Sequence, residues 1–417
     1  MRLPLRAVRS RRLPAHSNTD PRTPRATGPS PRRAFTAALI VLATLTLGAG
    51  TPPWHWPLPA WVPPPAVPAD NPMTAAKVEL GRHLFYDRRL SRDGSLSCAS
   101  CHEQARAFTD GRAVSKGVTG EAGARSAMTL TNVAYLPVLT WQNPQLTSLE
   151  VQALIPLFGE HPVEMGMAGR ERQLFALFKV DPTYRRLFAQ AFPDEARRGD
   201  DALYSLATLT RALASFQRSL LSFDSPYDRY RYGAQADAIS AAAKRGEELF
   251  FGEKLECYHC HGGFNFTDNL RHARVPFAEI GFHNTGLYND DGRGAYPKSS
   301  PGIVEFTGDP RDAGRFRTPT LRNVAVTAPY MHDGSIATLY EVLRTHYARA
   351  GHAVHTGQGA NPLRSELIVG FEITDDEIAD VIAFLESLTD ERFLHDPAHA
   401  DPWPARRETE PPEGVTR

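Results

Sequence analysis

Every cysteine of the chain lies in one of two Cys-x-x-Cys-His motifs, Cys98-Ala-Ser-Cys101-His102 and Cys257-Tyr-His-Cys260-His261. In this pattern the two thiols add to the vinyl groups of a haem and the adjacent imidazole binds its iron. Two copies imply two covalently held c-type haems, and so redox chemistry. A zinc site built from two Cys-x-x-Cys pairs is the structural alternative, but the pairs lie far beyond the loop lengths of zinc ribbons. A thioredoxin-type dithiol needs no His behind the second Cys, and here that His occurs twice. No cysteine is left for a disulfide, although the chain reads as exported.

The elements that must position these motifs repeat. Glu79-Leu-Gly-Arg-His-Leu-Phe85 precedes the first motif and Lys244-Arg-Gly-Glu-Glu-Leu-Phe250 the second. Each reads as an amphipathic helix leading into an attachment loop. Downstream, Thr129-Leu-Thr-Asn-Val-Ala134 is echoed by Thr320-Leu-Arg-Asn-Val-Ala325. A closing helix follows in each half. Asp201 to Ser222 carries Leu203, Leu206, Leu209, Leu213, Phe216 and Leu220 at helical steps. Asp375 to Leu388 carries Ile378, Val381, Ile382, Leu385 and Leu388, with Thr374 as N-cap and Glu377 completing a capping box. No strand alternation stands out. The pattern predicts a mainly α fold of two cytochrome c-like helical domains, 71–235 and 236–395, each packed around one covalently attached haem. Ser225 to Gln235 links them, and 396–417, rich in Pro and charge, is expected to be a flexible tail.

With 417 residues, 41% of them hydrophobic, the chain can bury two or three cores. A formal net charge of zero gives no reason to expect nucleic acid as a partner. Residues 1–50 are Arg- and Pro-rich and end in the uncharged run Ala34 to Gly50. This reads as an export signal or, if uncleaved, as an N-terminal membrane anchor at the lower edge of spanning length. Arg32-Arg33 has the look of a twin-arginine signal, but haem is attached after export and the apoprotein travels unfolded. Either reading puts the working protein in the periplasm. Residues 51–70 form a Pro-rich linker, expected to be an extended tether; its Trp54, Trp56 and Trp61 have no role legible in sequence.

With these pieces assembled, the chain resembles the bacterial di-haem cytochrome c peroxidase and MauG family over roughly residues 73–395. The resemblance is carried by both haem motifs, Pro162-Val-Glu-Met-Gly166, and Arg317-Thr-Pro-Thr-Leu-Arg-Asn-Val324 running into Ala328-Pro-Tyr-Met-His-Asp-Gly334. Arg125-Ser-Ala-Met128, Leu139-Thr-Trp-Gln-Asn-Pro144 and Phe158-Gly-Glu-His-Pro162 are most similar to the MauG-like branch associated with methanobactin and copper-handling operons.

The resemblance implies roles residue by residue. His102 is the proximal ligand of a peroxidatic haem whose other face is open to hydrogen peroxide. Gln152, Pro156 and Glu164 are its distal groups, with a small insertion between Gln and Glu in this chain. Trp141 is the aromatic bridge between the haems. Without the resemblance, Glu164 would read as a solvated charge, Trp141 as core and Gln152 as an ordinary helix residue. Ordinary di-haem peroxidases block the open face with a His from the loop after the first motif. Here that loop is Lys116-Gly-Val-Thr-Gly-Glu-Ala-Gly123, and no His occurs between His102 and His161. His161 reads as structural. His261 is the proximal ligand of the second, electron-transfer haem. Its other axial ligand is expected to be Tyr347, with His346 and Met331 as the alternatives. The family also holds a calcium ion, here on Thr327 and Pro329, with Ser126 at its Asn position.

Three functions follow from the resemblance. The first is a di-haem enzyme that uses hydrogen peroxide to form a high-valent di-haem state and oxidises an aromatic side chain, a Trp, of a periplasmic protein substrate by long-range electron transfer. The second is a cytochrome c peroxidase supplied by an electron-donor protein, a small cytochrome or cupredoxin. The third is an electron-transfer protein with no catalysis; the Glu164 motif argues against it.

Overall fold

A computed structural model describes residues 54–351 and 359–404. The expected export segment 1–50 lies outside the described residues. Among those described, no helix is long and apolar enough to cross a membrane.

The fold is mainly helical, as expected, and the two halves repeat one design. In the first half, helix Ala75–Tyr86 is capped by the Thr74 hydroxyl, which accepts from the Lys77 amide. It packs on helix Leu206–Arg218 at Gly81, where a Cβ would lie 2.0 Å from the Ala212 carbonyl oxygen. In the second half, helix Ala241–Phe251 packs on Asp375–Glu386 at Gly246, where a Cβ would lie 2.0 Å from the Asp380 oxygen. Thr374 and Glu377 form the expected capping box.

Each helix pair closes a core. Leu80, Phe85, Phe108, Leu213 and Phe216 belong to the first; Phe250, Phe266, Ile378, Val381 and Phe384 to the second. The repeated Thr-Leu-x-Asn motif ties each loop to its closing helix. Asn132 and Asn323 both take the left-handed conformation, φ 55° and 62°. Their amides donate to the Leu220 and Leu388 carbonyls at 2.9 and 3.1 Å. Their side-chain oxygens accept from the Ser222 and Asp390 amides, each at 2.8 Å.

Several expectations need correction. The closing helix read over Asp201 to Ser222 is two helices, Asp200–Leu203 and Leu206–Arg218, because Ser205 caps a new start with Thr208 as its capping-box partner. A short antiparallel pair, Phe282–Asn284 with Arg315–Arg317, is present; three residues per strand are too few for alternation to show.

The expected domain limits also shift. Tyr227 packs into the second core, whereas Phe393 and Leu394 return to the first. The supposed tether 51–70 is fastened from residue 54 onward. Val62 is buried, the Tyr135 hydroxyl donates to the Pro63 carbonyl at 2.8 Å, and the Ala273 amide donates to Pro64 at 2.9 Å. The tail is held as far as 404. The Tyr86 hydroxyl donates to the His399 carbonyl at 2.7 Å, and the Trp403 indole donates to the His83 carbonyl at 3.0 Å. In both segments a few apolar side chains hidden among prolines and charges find partners. Residues 405–417 lie outside the described residues.

Candidate haem-binding and peroxide-activating sites

The two attachment motifs are folded alike. Cys98–Ser100 is a single 3₁₀ turn, and the His102 amide closes it on the Cys98 carbonyl at 3.0 Å. In Tyr258–His261 the His261 amide closes on Cys257 at 2.9 Å. The chain then doubles back. His102 Nδ1 bonds the Phe108 carbonyl at 2.7 Å, and His261 Nδ1 bonds the Phe266 carbonyl at 3.1 Å. Phe108 and Phe266 both have positive φ, 62° and 50°. A backbone partner at Nδ1 fixes the ring and the tautomer and leaves Nε2 as the free electron pair, as a metal-ligating imidazole requires. Burial lowers the pKa of both rings and so favours the neutral form.

The chemistry of the thiols separates the alternatives. Burial pushes Cys98 and Cys257 up to about 12. A redox dithiol needs the opposite shift. The two pairs do not converge on one point either: among the described residues, the only grouping with metal-like spacing is Cys260, Asp268 and His283. His283 Nε2 bonds Asp268 Oδ2 at 2.6 Å, and Asp268 first, then Cys260, raises the His283 pKa to about 10.

The second site opens into a cavity of about 360 Å³. Cys257, Cys260, His261 and Tyr347 line it, with Leu343, Phe371, Val381 and Leu385 supplying apolar walls. Thiols, an imidazole and an apolar slot are the donor set of a covalently attached macrocycle, so the residues fit a c-type haem. Trp141 lines the same cavity. Its indole donates to the Ser126 carbonyl at 2.9 Å, and its own carbonyl accepts from the Arg317 amide at 2.8 Å. Thr109, Ser126 and Met128, from the first half, line the cavity beside it.

Tyr347 and Met331 line this cavity and His346 does not. His346 is fully buried, its ring nitrogens make no hydrogen bond of good geometry, and burial lowers its pKa to about 4, against a smaller opposing pull from the Thr285 backbone. Burial and then the two thiols raise the Tyr347 hydroxyl above its ordinary range. Thr327, Pro329 and Ser126 each line the cavity; the Thr327 hydroxyl donates to the Val324 carbonyl at 3.0 Å.

At the first site, Glu164 is half-buried. Its charge helps raise both Cys98 and Cys101, which places it at this motif. Burial raises the Glu164 carboxyl, and Arg125 tempers the rise. The loop Lys116–Gly123 is folded against it. The Val118 amide donates to the Glu164 carbonyl at 2.7 Å, and a Cβ on Gly117 would lie 1.8 Å from the Val163 oxygen. Gln152 ends helix Leu149–Gln152, which is held by Glu150. The Glu150 carboxylate takes both terminal nitrogens of Arg218 at 2.7 and 2.8 Å, and the Asn71 amide at 2.7 Å. The Met165 amide donates to the Pro156 carbonyl at 2.9 Å. The insertion therefore leaves Pro156 beside Glu164. His161 is exposed.

Sequence reading missed the Asp268–His283 pair, the Glu150–Arg218 anchor and Arg317. Burial lowers Arg317 to about 10, and its guanidinium donates to the Thr140 carbonyl at 3.1 Å. None of them has a local motif. Only Arg317 falls within a stretch that carries the family resemblance.

Comparison with known proteins agrees with this geometry. A family model described as di-haem cytochrome c peroxidase matches residues 75–236. The methylamine utilization protein MauG of Methylophilus methylotrophus is 35% identical, over 84% of this chain and 94% of that protein. A cytochrome-c peroxidase of Denitromonas iodatirespirans is 36% identical, over 86% of this chain and 93% of its own length. A solved MauG-like protein associated with microbial copper homeostasis superposes with a TM-score of 0.80 at 49% identity, covering 84% of this chain and all (100%) of that one. The chain belongs to the di-haem cytochrome c peroxidase and MauG family of oxidoreductases.

Proposed function

We propose that this family member is a peroxide-driven enzyme of the MauG type, which oxidises an aromatic side chain, a Trp, on a periplasmic protein by long-range electron transfer. The observation that carries this reading is Tyr347 in the cavity of His261. An anionic oxygen ligand stabilises an oxidised iron and suits storage of an oxidising equivalent, whereas a Met ligand favours taking electrons from a donor. The His-free loop Lys116–Gly123, packed on Glu164, supports it: it offers no imidazole to block the peroxide face.

When bound, the two haems supply the redox centres that take up the oxidising power of peroxide. The protein's part is acid–base chemistry and positioning. Glu164 takes the proton from the near peroxide oxygen and returns it to the far one as the O–O bond breaks. Its raised carboxyl suits both halves of that transfer. The Gln152 amide orients the peroxide, and Pro156 keeps that wall dry. Phe108 and Phe266 hold the proximal rings and raise their basicity through Nδ1. Trp141 lies on the route between the two sites. Thr327 and Pro329 offer oxygens to a calcium ion.

Met331 lines the same cavity and favours a second reading, peroxide reduction supplied by a small cytochrome or cupredoxin. The test is to add peroxide to the fully oxidised enzyme together with a candidate periplasmic protein substrate that carries an exposed Trp. Mass spectrometry should find oxygen added to a Trp of that protein. Consumption of peroxide only when a reduced cytochrome is supplied would favour the second reading.

A further inference from the structure

We propose that the stacked side chains of Trp61 and Tyr232 are a surface relay, through which the second half draws electrons from a donor docked at Tyr232. The inference rests on the peroxide-driven reading above and names where its oxidising equivalents leave the protein.

The two rings lie 3.9 Å apart, centroid to centroid, and only 14° from parallel. Tyr232 is 44% exposed. Indole and phenol are the aromatic side chains that give up an electron most readily, and face-to-face contact lets them share the vacancy. Behind Trp61 the aromatic contacts continue inward. Phe223 is 5.7 Å from Trp61, and Phe264 is 6.0 Å from Phe223. Phe264 belongs to the short turn that begins at His261 and ends at Phe266, whose carbonyl holds the His261 ring. A file of rings thus runs from the loop of the proximal ligand to solvent.

A cation beside this file would oppose loss of an electron. Arg322 does lie 6.0 Å from the Trp61 ring, but it is paired twice with Asp228, at 2.8 and 3.0 Å, and both side chains are buried. The pair is neutral as a unit. Trp61 is also held in place. Its neighbours Val62 and Pro63 are buried, and the Pro63 and Pro64 carbonyls accept bonds from Tyr135 and Ala273. A Pro-rich segment that served only as a tether would need neither the bonds nor the stack.

The electrons balance. Peroxide takes up two electrons and two protons and leaves as two waters. Each Tyr232 supplies one electron through Trp61 and releases its phenolic proton to solvent. With no donor present, two Tyr232 radicals on separate molecules join by a carbon–carbon bond. The sum is two phenols and one peroxide giving one dityrosine and two waters.

The experiment adds peroxide to the di-haem protein alone and reads dityrosine fluorescence, covalent dimer and the cross-linked peptide. The cross-link is expected at Tyr232. It should be lost in Tyr232→Phe and Trp61→Phe, and kept in Trp61→Tyr, which retains an oxidisable ring. It should also be kept in Tyr340→Phe, which removes a tyrosine of similar exposure, 42%. Haem absorption spectra confirm that each variant is loaded. A cross-link that persists in Tyr232→Phe or Trp61→Phe, or peroxide consumed with no cross-link at Tyr232, overturns the relay alone. Peroxide left unconsumed by the unaltered protein overturns the peroxide-driven reading, and the relay falls with it.

Discussion

Tyr347 shares a cavity with His261, while His346, one residue earlier, is buried outside it. The backbone explains how adjacent residues part. Val342–His346 is a π-helical turn, which holds one residue more than an α turn, and Tyr347–Arg349 continues as 3₁₀. The extra residue carries His346 past the cavity and brings Tyr347 to it.

Replacing Tyr347 by Phe should therefore change the low-spin absorption and EPR spectrum of the second haem, and His346→Ala should not. The two variants are compared as oxidised proteins. An altered spectrum in His346→Ala alone would move the ligand role to the imidazole.

Glu164→Gln should slow peroxide activation by about 100-fold or more while both haems stay attached, the usual scale for losing a positioned acid–base group. The pH dependence follows from sign. As a base, Glu164 must start ionised, and burial raises its carboxyl. The activation rate should thus fall as pH drops through a value above the ordinary carboxylate range. Stopped-flow rates against pH check this, and the limb should be absent in Glu164→Gln.

The anchor under Gln152 carries its own pH signature. Burial alone would raise the Glu150 carboxyl, but Arg218, with help from Asn71 and Ser148, overrides it and lowers the pKa from 4.5 to about 2. A depressed carboxylate stabilises the fold above its unfolded pKa and loses that contribution as pH falls toward its folded one. The thermal stability of the unaltered protein should fall between about pH 5 and 2 through this group, and Glu150→Gln should flatten that part of the profile.

Gly81→Ala and Gly246→Ala should each destabilise by about 3 kcal/mol or more. The added carbon meets a backbone carbonyl oxygen at 2.0 Å in both, and neither helix can yield without losing its core. Thermal unfolding and the yield of haem-loaded protein are the measurements. Equal stability in either variant would show that the helices can part there.

Much of the fold is legible in the sequence because the chain says it twice. The helix, the attachment motif and the Thr-Leu-x-Asn loop recur in one order, so the repeat alone pairs Gly81 with Gly246 and Asn132 with Asn323. The closing helix over Asp201 to Ser222 is overdrawn by periodicity because its apolar spacing continues across Ser205, where a hydroxyl cap interrupts the backbone. Trp61 and Trp403 are not legible, since their partners Tyr232 and His83 are distant in sequence. The same holds for the Asp268–His283 pair. The choice between His346 and Tyr347 depends on one helical turn, which periodicity does not resolve.

The most direct test adds hydrogen peroxide to the fully oxidised protein, with no reductant, and follows the visible and near-infrared spectrum. If, as proposed, the Lys116–Gly123 loop leaves one haem open, Trp141 couples the two haems and Tyr347 ligates the second, the protein should react at once and give a near-infrared charge-resonance band. A spectrum that stays unchanged until one haem is reduced would contradict the account.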